Sequence, residues 1–167
     1  MDGNNKSFGD LSTNFWKREF RCPCKKCRRK KVRVSQLLIF KLEMLRIALG
    51  NKPIIINSGN RCPEENERIG GYPNSAHIPY YVLKNKKKVL IGGRAADIRI
   101  KGVKPIDIGL TAEKIGGLRI GIARTYVHLD VRPPSPSKFW IYENNIIYSA
   151  KIENESLLKF YQIIKGK

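Results

Sequence analysis

Negative charge and imidazole are both scarce in this sequence. Its 167 residues carry 14 Asp and Glu against 33 Lys and Arg, a formal charge of +19, and only two histidines. That imbalance exceeds what solubility requires and predicts attraction to a polyanion: nucleic acid, an anionic membrane or the bacterial cell wall. No apolar run approaches the roughly 18 residues of a membrane span, so no spanning helix is expected. The N-terminus, MDGNNKSFGD, has neither a basic n-region nor an apolar h-region. The chain is therefore expected to be cytoplasmic at synthesis, and action outside the cell would need another export route, such as release by lysis. There is no internal repeat, and the length suits one domain with a real core rather than two large ones.

The cysteines are Cys22, Cys24, Cys27 and Cys62, three of them within RCPCKKCRRKK. A four-thiolate zinc site usually shows two separated C-x-x-C pairs. The spacing here is C-x-C-x-x-C with one distant partner, so a second, structural zinc at these residues is disfavoured against free thiols or a disulfide formed after release. The basic run from Lys25 to Arg33 would suit phosphates and keeps open a nucleic-acid binder built on the cysteine cluster, against a plain solvated loop. No recognised nucleic-acid fold accompanies it, and no specific nucleic acid is expected as a partner.

Residues 1–14 read as a flexible N-terminus, and the following aromatic residues of FWKREF as anchors to the core. VSQLLIFKLEMLRIAL, residues 34–49, predicts a helix with Ser35 as cap, an apolar stripe of Leu38, Leu42, Leu45 and Leu49, and Gly50 as its stop. KPIIINSG reads as a short buried strand, and CPEENERIGG as a short helix with Pro63 in its first turn. IPYYVLKNKKKVLIGG predicts a hairpin, RAADIRI a strand, KPIDIGLTAEKIGG a helix, and LRIGIARTYVHLDVR more strand. Beyond the proline-rich PPSPS, residues 134–167 predict a further hairpin and a short amphipathic helix, a packed extension. The pattern is α+β: a small antiparallel sheet with helices packed on one side.

Three stretches carry side chains whose chemistry can converge: NSAH ending at His77, GRAAD ending at Asp97, and YVHLD containing His128. Two neutral imidazoles and a carboxylate make a three-ligand zinc site with a fourth position open, the arrangement of hydrolytic zinc enzymes. In YVHLDVR the alternation puts His128, Asp130 and Arg132 on one strand face. SGNRCPEENERIGGYPNSAH, GGRAADI and YVHLDVRP, in that order, resemble the segments of the D-Ala-D-Ala metallopeptidase family of peptidoglycan hydrolases, which includes bacterial carboxypeptidases, VanX-like dipeptidases and phage endolysins. Ser58, Gly59, Arg61, Asn66, Gly70, Gly71, Ser75 and His77 fall on the first family motif if one residue is allowed between Arg61 and Pro63. Gly93, Ala95 and Asp97 fall on the second, and His128, Asp130 and Arg132 on the third.

The resemblance spans about residues 15–133 and implies a hedgehog/DD-peptidase-like fold. It implies that His77, Asp97 and His128 hold one catalytic zinc ion, and that Arg61 neutralises the developing oxyanion or grips a substrate carboxylate. Ser75 bonds substrate or caps a turn; Arg132 partners Asp130 or substrate. Two departures stand out. The family joins its first histidine and aspartate in a compact H-x(6)-D segment, whereas nineteen residues separate His77 from Asp97 here; the surplus is the hairpin at 78–90, an insertion that loop-closure entropy tolerates. Its lysines, Lys84, Lys86, Lys87 and Lys88, with the later Lys101, would contact anionic wall polymer or simply stay solvated. Relatives also place an acid three residues before the last histidine, or a second histidine two before it; Thr125 and Tyr126 stand there. Asp130, about 7 Å along the strand from His128, is left as general base, as orienter of an imidazole, or as a salt-bridge partner of Arg132.

The resemblance thus implies a zinc peptidoglycan peptidase acting beside a D-amino acid in the stem peptide, of the D-Ala-D-Ala carboxypeptidase or endopeptidase type. The alternatives are an L-Ala-D-Glu endolysin and a degenerate wall-binding module. A monomer is expected, drawn to anionic wall polymer after phage or prophage lysis.

Overall fold

A computed structural model describes residues 9–27, 30–84, 87–133, 138–144, 146–149 and 156–166, with residues 81–84 and 87–89 described by their backbone alone. Its first helix, α1, covers Gln36–Ala48. Leu38, Leu42 and Leu45 recur on one face and are fully buried, as the helical period requires, each worth about 1.5–3 kcal/mol of burial. Ser35 occupies the N-cap in extended geometry but makes no side-chain cap bond. Gly50 takes φ +73° just past the end, a left-handed turn at little cost to glycine.

The main sheet has six strands: β1 (Ile54–Ser58), β4 (Ala95–Ile100), β5 (Arg119–Ile122), β6 (Val127–Asp130), β7 (Phe139–Glu143) and β8 (Ile146–Ser149). Their spatial order is β1-β4-β6-β5-β7-β8, and β5–β7 is the parallel pair in an otherwise antiparallel sheet. The expected hairpin appears as β2 (Tyr80–Lys84) and β3 (Lys87–Ile91), a two-stranded sheet of its own. Lys86 and the side chains of Lys84, Lys87 and Lys88 lie outside the described residues; Lys101 is exposed. The remaining helices are α2 (Pro63–Arg68), α3 (Pro105–Ile115) and α4 (Leu157–Lys165). Among the described residues, no helix is long and apolar enough to cross a membrane.

The two-residue strand period divides the sheet into two chemistries. Ile98 and Ile100, Val127 and Leu129, Ile120 and Ile122, and Phe139 and Ile141 join one core with Leu38, Leu42 and Leu45 of α1, Ile108 and Ala112 of α3, and Leu157 of α4. The alternate positions, among them Asp97, His128, Asp130, Arg119, Trp140 and Tyr142, belong to the opposite face. β1 differs from the buried strand expected of its apolar run. Among the described residues it pairs with β4 alone, at the sheet edge, and its burial alternates, leaving Ile55 40% exposed. Phe15 and Phe20 meet edge to face, 6.2 Å between ring centroids, and are both buried. The Asn60 N–H donates to the Phe20 carbonyl, fastening this N-terminal turn to the loop after β1.

Candidate metal centre

The register of the sheet builds most of the site. Asp97 on β4 is the ladder partner of His128 on β6, His128 that of Gly121 on β5, and Gly121 that of Trp140 on β7. These four positions form one row across the open face. Gly121 is required by that row: a Cβ there would stand 2.4 Å from the Trp140 indole nitrogen. The indole fills the gap, its centroid 5.2 Å from that of the His128 ring.

His77 comes from the loop after α2. Its Nδ1–H donates to the Gly59 carbonyl at 2.5 Å, which leaves Nε2 without a proton in the neutral ring and aims that lone pair inward. Nε2 lies 3.2 Å from Asp97 Oδ1 and 3.1 Å from His128 Nδ1, and His128 Nδ1 lies 2.8 Å from Asp97 Oδ1. Three donors held about 2.0–2.2 Å from one ion in tetrahedral directions are separated by about 3.3–3.6 Å. The observed triangle is tighter, and its shortest edge would have to open by about half an ångström or more to admit an ion. The donor set of two imidazoles and one carboxylate therefore fits zinc.

Protonation is set in the same sense. Burial pushes the His77 imidazole below its usual 6.5, keeping it neutral. Burial alone would raise the Asp97 carboxyl from 3.8, but the His128 Nδ1–H at 2.8 Å and the nearby imidazoles outweigh it and hold the group well below the carboxylate range. Both shifts make the metal-free fold acid-sensitive. Below 6.5 the unfolded chain takes up a proton that buried His77 refuses, and below 3.8 it takes up one that Asp97 refuses; stability is lost through each window as pH falls. In chelator-treated protein, the urea midpoint should drop steadily from about pH 7 to about pH 4; a flat or rising midpoint would contradict this.

Around the triangle lies a cleft of about 690 Å³ lined by Arg61, Arg119 and Arg132, with Tyr72, Ser75, Tyr126, Trp140 and Tyr142. Arg61 donates through Nε to Ser58 Oγ at 2.9 Å and through Nη2 to Asp97 Oδ2. It thereby holds the carboxylate with Oδ1 toward the triangle. The Ser75 hydroxyl accepts from the His77 N–H at 3.3 Å, so it caps the turn that presents this imidazole. Asp130 is fully buried and accepts from the Arg132 N–H at 2.8 Å and Nε at 2.7 Å; Arg119 Nη1 is 3.8 Å away. Arg132 Nη1 also donates to the Asn74 carbonyl at 2.7 Å.

Arg119, Trp140 and Tyr142 also line the cleft, with no motif in the sequence to single them out. Alternation in FWIYE puts the two aromatics on one face, but nothing local shows that this face adjoins His128; only the parallel β5–β7 pairing does. Tyr126, noted above only for not being an acid or a histidine, is pushed up to about 12 by burial and then by the Asp97 charge. Its hydroxyl remains a donor at neutral pH. The four cysteines, expected as free thiols or a disulfide, are free, and all four Sγ atoms lie within 4.8 Å of one another. No curated protein matches this chain. A family model described as Peptidase M15 matches residues 13–130.

Proposed function

Because the chain belongs to the Peptidase M15 family, we propose that it is a zinc-dependent peptidoglycan peptidase that cuts a stem-peptide bond next to a D-amino acid, of the D-Ala-D-Ala carboxypeptidase or endopeptidase type. The observation that carries this reading is the His77–Asp97–His128 triangle in a cleft bearing three guanidiniums. Stem peptides are short, extended and rich in carboxylates, so such a cleft is suited to them by charge as well as by chemistry.

Zinc, when bound there, supplies a Lewis acid for the scissile carbonyl and a water of lowered pKa. The chain supplies the rest. Gly59 fixes the His77 tautomer, and Arg61 fixes the Asp97 carboxylate while placing positive charge beside the reacting carbonyl. The protonated Tyr126 hydroxyl adds a neutral donor for the oxyanion. Arg132 and Arg119 receive a substrate carboxylate, with Asp130 behind them holding both guanidiniums in place. Asp130 is thus assigned as a positioning residue. The large positive charge attracts the enzyme to anionic wall polymer, and release at lysis would bring it there.

Mass spectrometry of products from defined muropeptides, with zinc and with chelator, tests the reading. Zinc-dependent loss of terminal D-Ala, or cleavage of a D-Ala cross-link, is the expected result. Cleavage between L-Ala and D-Glu would reassign the bond. Wall binding with no product from any muropeptide, equal in wild type and His128→Ala, would leave a binding module in place of an enzyme.

A further inference from the structure

Away from the cleft, the Cys22, Cys24, Cys27 and Cys62 thiols meet at one point. Cys27 ends a single 3-10 turn, Lys25–Cys27, and Cys62 is the N-cap residue of α2. From this convergence we propose that the chain holds a second metal, a structural zinc ion bound by Cys22, Cys24, Cys27 and Cys62, which clasps the N-terminal segment to the loop that carries Arg61. A tetrahedral tetrathiolate with Zn–S of about 2.3 Å has sulfur–sulfur edges of about 3.8 Å. The four Sγ atoms all lie within 4.8 Å of one another, and Cys24 and Cys62 are 3.5 Å apart. Disulfides bring sulfurs together in pairs at about 2.05 Å; here all four share one centre.

Burial pushes the Cys27 and Cys62 thiols up in the metal-free chain, so a bound cation would be what draws off their protons, and two backbone donors stand ready to share the charge. The Glu65 N–H points at Cys62 Sγ and the Cys62 N–H at Cys22 Sγ, each at 3.4 Å. Such backbone donors orient metal thiolates and offset their charge. Four thiolates and one dication leave a net double negative charge, and Lys25, Lys26 and Lys30 stand in the same segment to balance it. The C-x-C-x-x-C spacing argues against a site only while two separate C-x-x-C knuckles are assumed. Here the turn gathers three ligands from one segment, and the cap of α2 provides the fourth.

The consequence for the cleft is direct. Cys62 follows Arg61, whose guanidinium holds Asp97. A metal at Cys62 therefore fixes the backbone beside that arginine, and the clasp acts on the catalytic centre through position alone.

The test is metal counting on the full chain, with zinc and then cobalt as probes. Wild type should hold about two zinc ions, and His77→Ala/His128→Ala about one, with thiols protected from Ellman's reagent until a strong chelator is added. Cobalt in that double variant should give thiolate-to-metal charge-transfer absorption. Cys27→Ser should lose the thiolate signature and one ion; should it fail to fold, the histidine variant still decides the matter. A histidine variant free of metal, with four reactive thiols or with the mass deficit of two disulfides, would overturn the proposal. Because the count is made without activity, the clasp and the peptidase reading can fail separately.

Discussion

Replacing His128 by alanine is expected to cost at least about 10³-fold in peptidase activity, since a zinc ion held by the proposed triangle would supply several kcal/mol of barrier lowering at about 1.4 kcal/mol per tenfold. The core side of β6 should be untouched, because Val127 and Leu129 face the helices while His128 faces the cleft. The variant should therefore melt as a folded protein while binding less zinc at the His-Asp-His site. His77→Ala should match it in activity. Asp97→Asn should too, since it retains shape but surrenders the anion that both imidazoles and Arg61 contact. Activity within tenfold of wild type in any of the three, on a muropeptide that wild type cleaves, would remove the triangle from the mechanism.

Asp130 should produce the largest loss of stability. Its carboxylate is wholly buried and faces two guanidiniums. Asp130→Ala removes the carboxylate that those two cations share, and breaking such a buried pair costs about 3–5 kcal/mol. The value should fall near about 3, because Arg132 and Arg119 keep 22% and 16% of their side chains exposed and water recovers part of the loss. Asp130→Asn separates the possible roles. As a positioning residue, it should raise KM for carboxylate-bearing substrates through a looser Arg132, with the acid limb of the pH–rate profile retained. A general base would behave differently: kcat would fall by about 10²–10⁴ and the acid limb would vanish.

These expectations rest on features that differ in how visible they are along the chain. The leucine stripe of α1 repeats at the helical period, so burial and secondary structure could be read together. His77, Asp97 and His128 stood out because short motifs surround them and the chain has no other histidines. The partners of those three side chains are hidden for a physical reason. The reach of Gly59 to His77, the row from Asp97 to Trp140, and the meeting of Cys62 with Cys22 are long-range pairings fixed by the sheet and its loops, and local spacing does not encode them. Asp130 shows the same limit: the sequence put it beside Arg132, but not under Arg119, its cross-strand neighbour.

The row of ladder partners also bears on how such an enzyme can vary over evolutionary time. Asp97 and His128 are spaced by the backbone ladder itself, which fixes neighbouring strands about 4.8 Å apart whatever connects them. Length can therefore accumulate between elements without moving these side chains, as the self-paired β2–β3 hairpin between His77 and Asp97 illustrates. A shift of one residue within β4 or β6 is another matter. It would turn Asp97 or His128 into the apolar core and bring an isoleucine or leucine out in its place. Lineages of this chain are thus free to drift in their loops and are held almost rigid in the phase of two short strands.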